Sequence, residues 1–363
     1  MVTNVYYDAN FSKGEFRGMG KYINYIHHVL SNAGYNVIPL VRGGETEPRY
    51  NSFGVRNYIF WEQVSVPFFQ KKNKGIFIFP YNTAPLNMVN EGNINILVVH
   101  DLIFMENLGD SKSLRQKIGK AYRRFIVPRV IQQFDHIITV SEYSKKKIID
   151  KFNISDDKIT VIPNSIESKV CEGTVPREKF IFHLGGEPDY KNTKVLLKAF
   201  ALLPTEIREQ YSLKILGIRD RSAVSSYLKL CTELGISKSV EFLGYQTDSE
   251  VESLYSKATM FVFTSIEEGF GIPLIEAMCH KTPLLSSSSS CLPEIAGAAA
   301  LYFNPYDERD LAAKMESILR NPSQMDSRIK QSEMQLKRFS REVVREKIMR
   351  YFGEIYESTN NIA

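Results

Sequence analysis

Cysteine is scarce in this 363-residue chain. The four present, Cys171, Cys231, Cys279 and Cys291, are widely spaced, with no Cys-x-x-Cys pair and no His partner at zinc-ligand spacing. That argues against a disulfide scaffold or a structural zinc site and for reduced thiols in a cytosolic protein. Long apolar runs are lacking as well, and no basic-then-apolar leader opens the chain, so neither a bilayer span nor secretion is expected. A large excess of one charge is also missing: the formal net charge is +5, too mild to suggest a nucleic-acid protein. What remains is an ordinary globular composition, 43% hydrophobic and 24% charged. The chain is longer than one core usually supports, so two domains are expected.

The most informative stretch runs from Thr259 to Met278, TMFVFTSIEEGFGIPLIEAM. Met260 to Phe263 is a short unbroken apolar run, too brief for a helix, and reads as a buried strand. It feeds the turn Glu267-Glu268-Gly269-Phe270-Gly271, whose glycines allow a sharp bend and close approach of the backbone to a ligand. Pro273 suits the first residue of the helix that follows. Free N–H groups and the positive end of the dipole at that helix start suit an anion such as a diphosphate. Glu268 and Glu276 frame the cradle. Carboxylates repel phosphate but accept hydrogen bonds from the paired hydroxyls of a ribose or hexose. A ligand with both features is a nucleotide sugar. The plainer alternative is that Glu276 only favours the helix dipole and Glu268 is a solvated turn residue.

The run Glu268-Gly-Phe-Gly-Ile-Pro with Glu276 resembles the E-x7-E signature of retaining glycosyltransferases of the GT-B fold, in the large family 4 (glycosyl transferases group 1), mannosyltransferase-like. Leu292-Pro293-Glu294, Ala296-Gly297 and Ala300 to Pro305 fit the same pattern, and the likeness covers nearly the whole chain. The resemblance implies an α/β, GT-B architecture: two facing Rossmann-like domains with the active site in the interdomain cleft. The alternation of strand and helix patterns in two halves agrees. The expected division is an acceptor-binding domain over 1–166, rejoined by a C-terminal helix at about 341–363, and a nucleotide-sugar-binding domain over 167–340.

Other candidates follow along the chain. Arg17-Gly18-Met19-Gly20-Lys21-Tyr22 is a two-glycine turn before an amphipathic helix. Taken alone it is as readily plain loop geometry as an anion site; it is similar to the family's N-terminal glycine loop, which gives Gly18 and Gly20 weight as ligand contacts. Ile94 to Val99 reads as a strand followed at once by His100 and Asp101, where open α/β sheets gather ligands. The pair could orient a sugar hydroxyl or balance charge at an oxocarbenium ion, or be a hydrogen-bonded His and a helix-capping Asp. The resemblance favours the first. Ser141 reads as an N-cap, and Glu167 to Lys179 as the linker. Phe180 to Leu184 is a strand entering Gly185-Gly186-Glu187-Pro188-Asp189-Tyr190-Lys191-Asn192, where Lys191 would place a cation over phosphates. Many relatives carry Arg where this chain has Gly186; Lys194 or Arg219 are the residues that could compensate. Ser286 to Ser290 reads as a small polar turn, and Lys281 stands where the family commonly has glycine.

Residues 112–133 form a basic helical pattern: Leu114, Ile118, Tyr122, Phe125 and Ile126 make an apolar stripe, and Lys112, Arg115, Lys117, Lys120, Arg123 and Arg124 load the rest. It is either a solvated face or a contact for anionic lipid at the inner face of the cell membrane, suited to a polyprenyl-linked acceptor. The expected function is transfer of a hexose from a nucleotide-sugar donor, GDP-mannose favoured over UDP- or dTDP-sugars, to a hydroxyl of a lipid-linked or oligosaccharide acceptor in surface polysaccharide synthesis. No cofactor and no obligatory metal are expected. His100, Asp101, Glu268 and Lys191 are the catalytic candidates, and Gly18, Gly20, Gly186, Lys191, Phe270, Gly271 and Glu276 the donor-binding ones. The alternatives are a glycoside hydrolase with paired carboxylates, a sugar-nucleotide epimerase, and a catalytically weak partner subunit.

Overall fold

A computed structural model describes residues 4–12, 18–107, 114–166 and 175–360. The chain divides into two units, Met1–Glu106 with Leu114–Ser165 and Arg341–Ala363, and Ile166–Ser340 with Asn107–Ser113. The first unit carries β1 (Asn4–Asp8), β2 (Asn36–Arg42), β3 (Asn51–Phe53), β4 (Gly75–Phe79), β5 (Asn93–Val99), β6 (His136–Thr139) and β7 (Ile159–Val161). They pair in parallel in the order β3-β2-β1-β4-β5-β6-β7. The second carries β8 (Glu178–Leu184), β9 (Ser212–Leu216), β10 (Val240–Phe242), β11 (Ala258–Phe263), β12 (Leu284–Ser287) and β13 (Ala300–Phe303), parallel in the order β10-β9-β8-β11-β12-β13.

Parallel neighbours need a crossover, and helices supply it, so the inner strands are covered on both faces and read as continuous apolar runs. Every residue of β11 is buried. In each sheet the strand order reverses once, between β1 and β4 in the first unit and between β8 and β11 in the second. Loops leaving the carboxyl ends of such a pair diverge to opposite faces and open a crevice there, the usual ligand position in doubly wound sheets.

Several expectations are revised. Residues 42–74 hold β3 and a helical stretch, Tyr58–Phe60, the π-turn Trp61–Ser65 and Val66–Lys72; the extra residue in the π-turn breaks the 3.6-residue period that would have marked a helix. Glu178 and Lys179 open β8 rather than the linker, and 167–174 lie outside the described residues. Ser286 and Ser287 end β12, buried, rather than starting a turn. The basic helix spans Leu114–Val130, and Lys112 lies outside the described residues. Its buried face is Ile126, Val127 and Val130, whereas Leu114 (72% exposed), Ile118 and Phe125 face solvent. A helix can bury only one stripe, and this one follows 126, 127 and 130. Among the described residues no helix is long and apolar enough to cross a membrane.

Beside the switch point of the first sheet lie two buried carboxyls, Asp8 at the end of β1 and Glu62 in the π-turn. The Tyr58 hydroxyl stands 2.9 Å from Asp8 Oδ2 and 3.0 Å from Glu62 Oε1. A phenol carries one proton and can donate to one of them, so the other contact requires a protonated carboxyl. Asp8 Oδ1 also accepts from the backbone N–H and the side-chain amide of Asn10, each at 2.8 Å, and Glu62 Oε2 accepts from Thr83 and Tyr122. Burial outweighs these bonds and pushes Asp8 up to about 6 and Glu62 up to about 7. Both groups hold their protons more tightly folded than unfolded, so the stability they contribute is full below their ordinary carboxyl range and lost as pH rises through about 6 to 7. Thermal melts at pH 5, 6, 7 and 8 should therefore show Tm falling more steeply in the wild type than in Glu62→Gln; equal slopes would refute the buried-proton account.

Candidate active site

Of the donor-binding candidates, Gly186, Lys191, Phe270, Gly271 and Glu276 lie in the second unit, where Lys191 and the Glu268 turn meet at the β8/β11 switch point, whereas Gly18 and Gly20 lie in the first. Leaving β8, Gly185 and Gly186 lead through the 3-10 turn Asp189–Lys191 to Asn192, which adopts a left-handed conformation and precedes the helix Thr193–Leu202. Leaving β11, Thr264 and Ser265 lead to the Glu268 turn. The two exits are stapled together: Thr264 Oγ1 donates to the Lys191 carbonyl at 2.6 Å and the Ile266 N–H to the Tyr190 carbonyl at 2.8 Å. These backbone bonds fix where the Lys191 side chain starts. Its Nζ lies 2.5 Å from Glu268 Oε1 and 5.7 Å from the Phe263 ring centroid. The pair is partly buried, with side-chain exposures of 23% for Lys191 and 14% for Glu268.

Gly186 sits against this lysine. A Cβ at position 186 would lie 3.0 Å from Lys191 Cγ, so the lysine stem occupies space that a side chain there would need. Of the two residues considered as substitutes for an arginine, Lys194 pairs with Asp189 at 3.5 Å and the Arg219 side chain is exposed. Under the loop lies His183, fully buried. Its Nδ1 stands 2.9 Å from the Val262 carbonyl and its Nε2 3.0 Å from Thr193 Oγ1. A carbonyl only accepts, so Nδ1 carries the proton and Nε2 accepts from Thr193. Burial lowers its pKa to about 4 against the pull of the Val262 carbonyl, and the Lys191 charge lowers it further; the ring is a neutral tie between β8, β11 and the following helix.

On the other wall, Gly271 adopts φ +91° and caps the helix Ile272–Cys279, with Pro273 in its first turn. A Cβ there would lie 2.9 Å from Leu292 Cδ2, so glycine answers both a left-handed backbone and a close approach. Phe270 is buried and packs edge-on against Phe339 at 5.3 Å, which orients the peptide carrying the turn's N–H groups. Cys291 Sγ donates to the Glu268 carbonyl at 3.3 Å. Glu276, half-buried in the helix, accepts from the Tyr255 hydroxyl at 2.9 Å. Lys281 has φ +54°, the physical reason a glycine suits that turn.

Gly18, Gly20, His100 and Asp101 belong to the first unit. Gly18, at φ +62°, caps the helix Met19–Asn32, while Gly20 is buried inside that helix rather than in a turn. His100 is buried, its Nε2 3.0 Å from the Pro80 carbonyl and its ring edge-on to Tyr22 at 5.1 Å. Burial lowers its pKa to about 4 despite the Pro80 bond, so it is a neutral hydrogen-bonding group near pH 7 and carries no charge. Asp101 Oδ1 accepts from the N–H of Ile103, the first residue of the turn Ile103–Met105, at 3.0 Å.

Sequence reasoning passed over Ser265, Tyr255, His183 and Asp8. Ser265 is buried three residues before Glu268, and its hydroxyl has no hydrogen-bond partner among the described residues, which makes it a donor or acceptor in reserve. Its position just past the apolar run of β11 was the available signal. Among the described residues no group of three or more His, Cys, Asp or Glu is placed to hold a metal ion.

Two doubly wound parallel sheets, each with one reversal of strand order, define a Rossmann-type α/β protein. Residues 166–335 match the family model of glycosyl transferases group 1, and residues 96–169 that of Glycosyltransferase Family 4; over these residues the chain belongs to the glycosyltransferases. It is 32% identical over 205 residues to O-antigen chain mannosyltransferase RfbU of Salmonella typhimurium, covering 56% of this chain and 57% of that protein. It is 29% identical over 244 residues to serotype-specific mannosyltransferase WbdA of Escherichia coli, covering 62% of this chain and 29% of that one. The chain thus spans little more than half of one curated relative and under a third of the other. The solved structure of a sucrose-phosphate synthase from Thermosynechococcus elongatus superposes with a TM-score of 0.73 at 16% identity, over 98% of this chain and 100% of that one. At that identity the likeness concerns the fold alone, which is GT-B.

Gly271→Ala should destabilise the protein by roughly 1–3 kcal/mol in denaturant or thermal melts, through a disfavoured φ combined with the Leu292 contact. Gly235→Ala, at φ +68° with open space around it, should lose less. Equal losses would remove the close-approach argument.

Proposed function

We propose that this chain is a retaining glycosyltransferase that moves mannose from GDP-mannose to a sugar hydroxyl of a lipid-linked or oligosaccharide acceptor in surface polysaccharide assembly. The observation that carries the reading is the Lys191–Glu268 pair at the switch point, 2.5 Å apart. It puts a cation for a diphosphate and a carboxylate for sugar hydroxyls in one cradle, beside a helix start. The names of the mannosyltransferase relatives support the choice of sugar and of polymer.

In this reading Lys191 and the N–H groups at the start of the helix Ile272–Cys279 receive the diphosphate, the backbone at Gly186 approaches it, and Glu276 accepts from the ribose hydroxyls. Glu268, released from Lys191 by the arriving phosphate, accepts from the donor sugar, whose remaining hydroxyls meet the amides of Phe270 and Gly271. As the glycosidic bond breaks, negative charge grows on the leaving diphosphate and positive charge on the sugar ring. Lys191 therefore acts more strongly on the transition state than on the bound substrate. The acceptor hydroxyl attacks from the face the diphosphate leaves and gives its proton to the departing phosphate oxygen, so the new glycosidic bond retains the anomeric configuration. The role of countercharge is assigned to Lys191 rather than to a metal ion. Gly18 and Gly20 keep the donor-binding role and His100 and Asp101 the catalytic role that their motifs imply, His100 as a neutral acceptor through Nδ1, since its Nε2 proton goes to the Pro80 carbonyl.

The first unit also offers a surface for a lipid-linked acceptor. Phe60 (63% exposed), Val64 and Phe68 (62% exposed) line one helical stretch, and Leu114, Ile118 and Phe125 line the helix Leu114–Val130. The two stretches touch where the Gln63 amide donates to the Tyr122 hydroxyl at 2.7 Å. Lys71, Lys72, Lys117 and Arg124 are exposed around them, Leu114–Val130 contains no Asp or Glu, and Glu62 of the other stretch is buried. Apolar side chains with a basic rim and no exposed acid fit an anionic bilayer surface.

Thermal-shift screening against GDP-, UDP- and dTDP-sugars should single out a GDP-sugar, and Glu268→Ala should lower transfer at least tenfold, about 1.4 kcal/mol. Unchanged turnover would overturn the site assignment. Free sugar released from oligosaccharide without nucleotide would favour a hydrolase, conversion without acceptor an epimerase, and binding without product a weak partner subunit. In flotation with anionic vesicles the wild type should float and a Phe60→Ser, Phe68→Ser double variant should not; equal flotation would discard the membrane surface.

A further inference from the structure

The Glu276 carboxylate meets a side chain that neither the signature nor the family reading involves. Tyr255 stands near the end of the helix Asp248–Lys257 and is 1% exposed. Three rings hold it: Phe182 edge-on at 4.9 Å, Phe261 edge-on at 5.0 Å, and His280 stacked at 5.9 Å with planes 5° apart. Its backbone is tied as firmly, since its carbonyl accepts from Thr282 Oγ1 at 2.7 Å and Arg177 Nη1 at 3.2 Å. With ring and backbone both fixed, the hydroxyl has one place to be, 2.9 Å from Glu276 Oε2.

We infer that Tyr255 is a positioning residue for donor binding: its hydroxyl helps to hold the Glu276 carboxylate in the orientation in which it meets the nucleotide's ribose. The inference rests on the donor-binding reading above. The physical case has two parts. A glutamate on a helix surface has three rotatable bonds, and a ligand that must order them loses affinity; a buried neutral donor on one oxygen removes that cost before the ligand arrives. The donor is also dependable, because burial and the neighbouring Glu276 charge push the tyrosine's pKa up and keep its proton in place at any working pH. A neutral donor on one oxygen draws less charge from the second than a cation would, so the carboxylate stays a good acceptor for a diol.

The test is a kinetic cycle. Tyr255→Phe keeps the ring contacts and removes only the hydroxyl, so Tm should change little while KM for the nucleotide sugar rises roughly tenfold, the size of a lost hydrogen bond to a charged group. kcat should stay within about twofold, since the ribose contact is the same in ground and transition states. Glu276→Ala should raise KM at least as much, and adding Tyr255→Phe to it should change nothing further. If Glu276→Ala leaves donor binding intact, the donor reading itself fails. If Glu276→Ala weakens binding while Tyr255→Phe does not, or the two effects add, or Tyr255→Phe lowers Tm by many degrees, the positioning role is overturned and the donor reading stands.

Discussion

The cradle depends on one topological constraint, the reversal of strand order between β8 and β11. Because both strands are parallel and adjacent, their carboxyl ends release two loops side by side, and the crossovers then carry the chain away to opposite faces. Lys191 descends from one loop and Glu268 from the other, and they meet only because Thr264 and Ile266 bond the first loop's backbone to the second strand's exit. His183 underneath supplies a third tie, from β8 to β11 and to Thr193. A lysine side chain is long and mobile, so its placement has to come from rigid backbone on both sides.

The glycine at position 186 looks like a loss against the arginine common in the family. The structure gives it a positive content. With Lys191 Cγ 3.0 Å from where a Cβ would stand, position 186 is roofed by the lysine stem. A side chain there would require the Lys191 stem to give by a few tenths of an ångström. A single ammonium is a point charge without the bidentate reach of a guanidinium, and in the proposed donor site the remaining contacts to a diphosphate fall to backbone N–H groups of the turn and helix.

Much of this was legible beforehand where a short apolar run met a polar or glycine-rich stretch. Met260 to Phe263 before the Glu268 turn, Phe180 to Leu184 before Gly185, and Ile94 to Val99 before His100 each end a buried parallel strand, and each strand end proved to carry polar groups. The Ser141 cap was readable from residue type alone, and its side chain does accept from the Ser144 N–H at 3.1 Å. What stayed hidden depended on contacts far apart in sequence. Tyr255 and Glu276 are joined across two helices, and Asp8 and Glu62 through Tyr58; no local period announces either pair. On the basic helix the stripe of Leu114, Ile118, Tyr122, Phe125 and Ile126 has helical spacing, yet of these the unit fully buries only Ile126, together with Val127 and Val130. Periodicity shows that a helix has an apolar face and cannot tell whether protein or something else covers it.

In the donor-binding reading proposed above, acids beside the phosphates raise an electrostatic difficulty, and the ion pair resolves it. Left alone, Glu268 would repel a diphosphate, and a partly buried lysine would carry the desolvation cost of an uncompensated charge. Paired at 2.5 Å, each neutralises the other while no ligand is bound. An arriving nucleotide sugar brings both replacements at once, phosphate oxygens for the lysine and hydroxyls for the carboxylate, so neither charge need stand unpartnered at any stage. A ligand with only one of the two would break the pair and compensate half of it. The pair therefore favours ligands that join an anion to a polyol over free phosphate or free sugar, and it does so through the cost of separating two charges rather than through any contact unique to mannose.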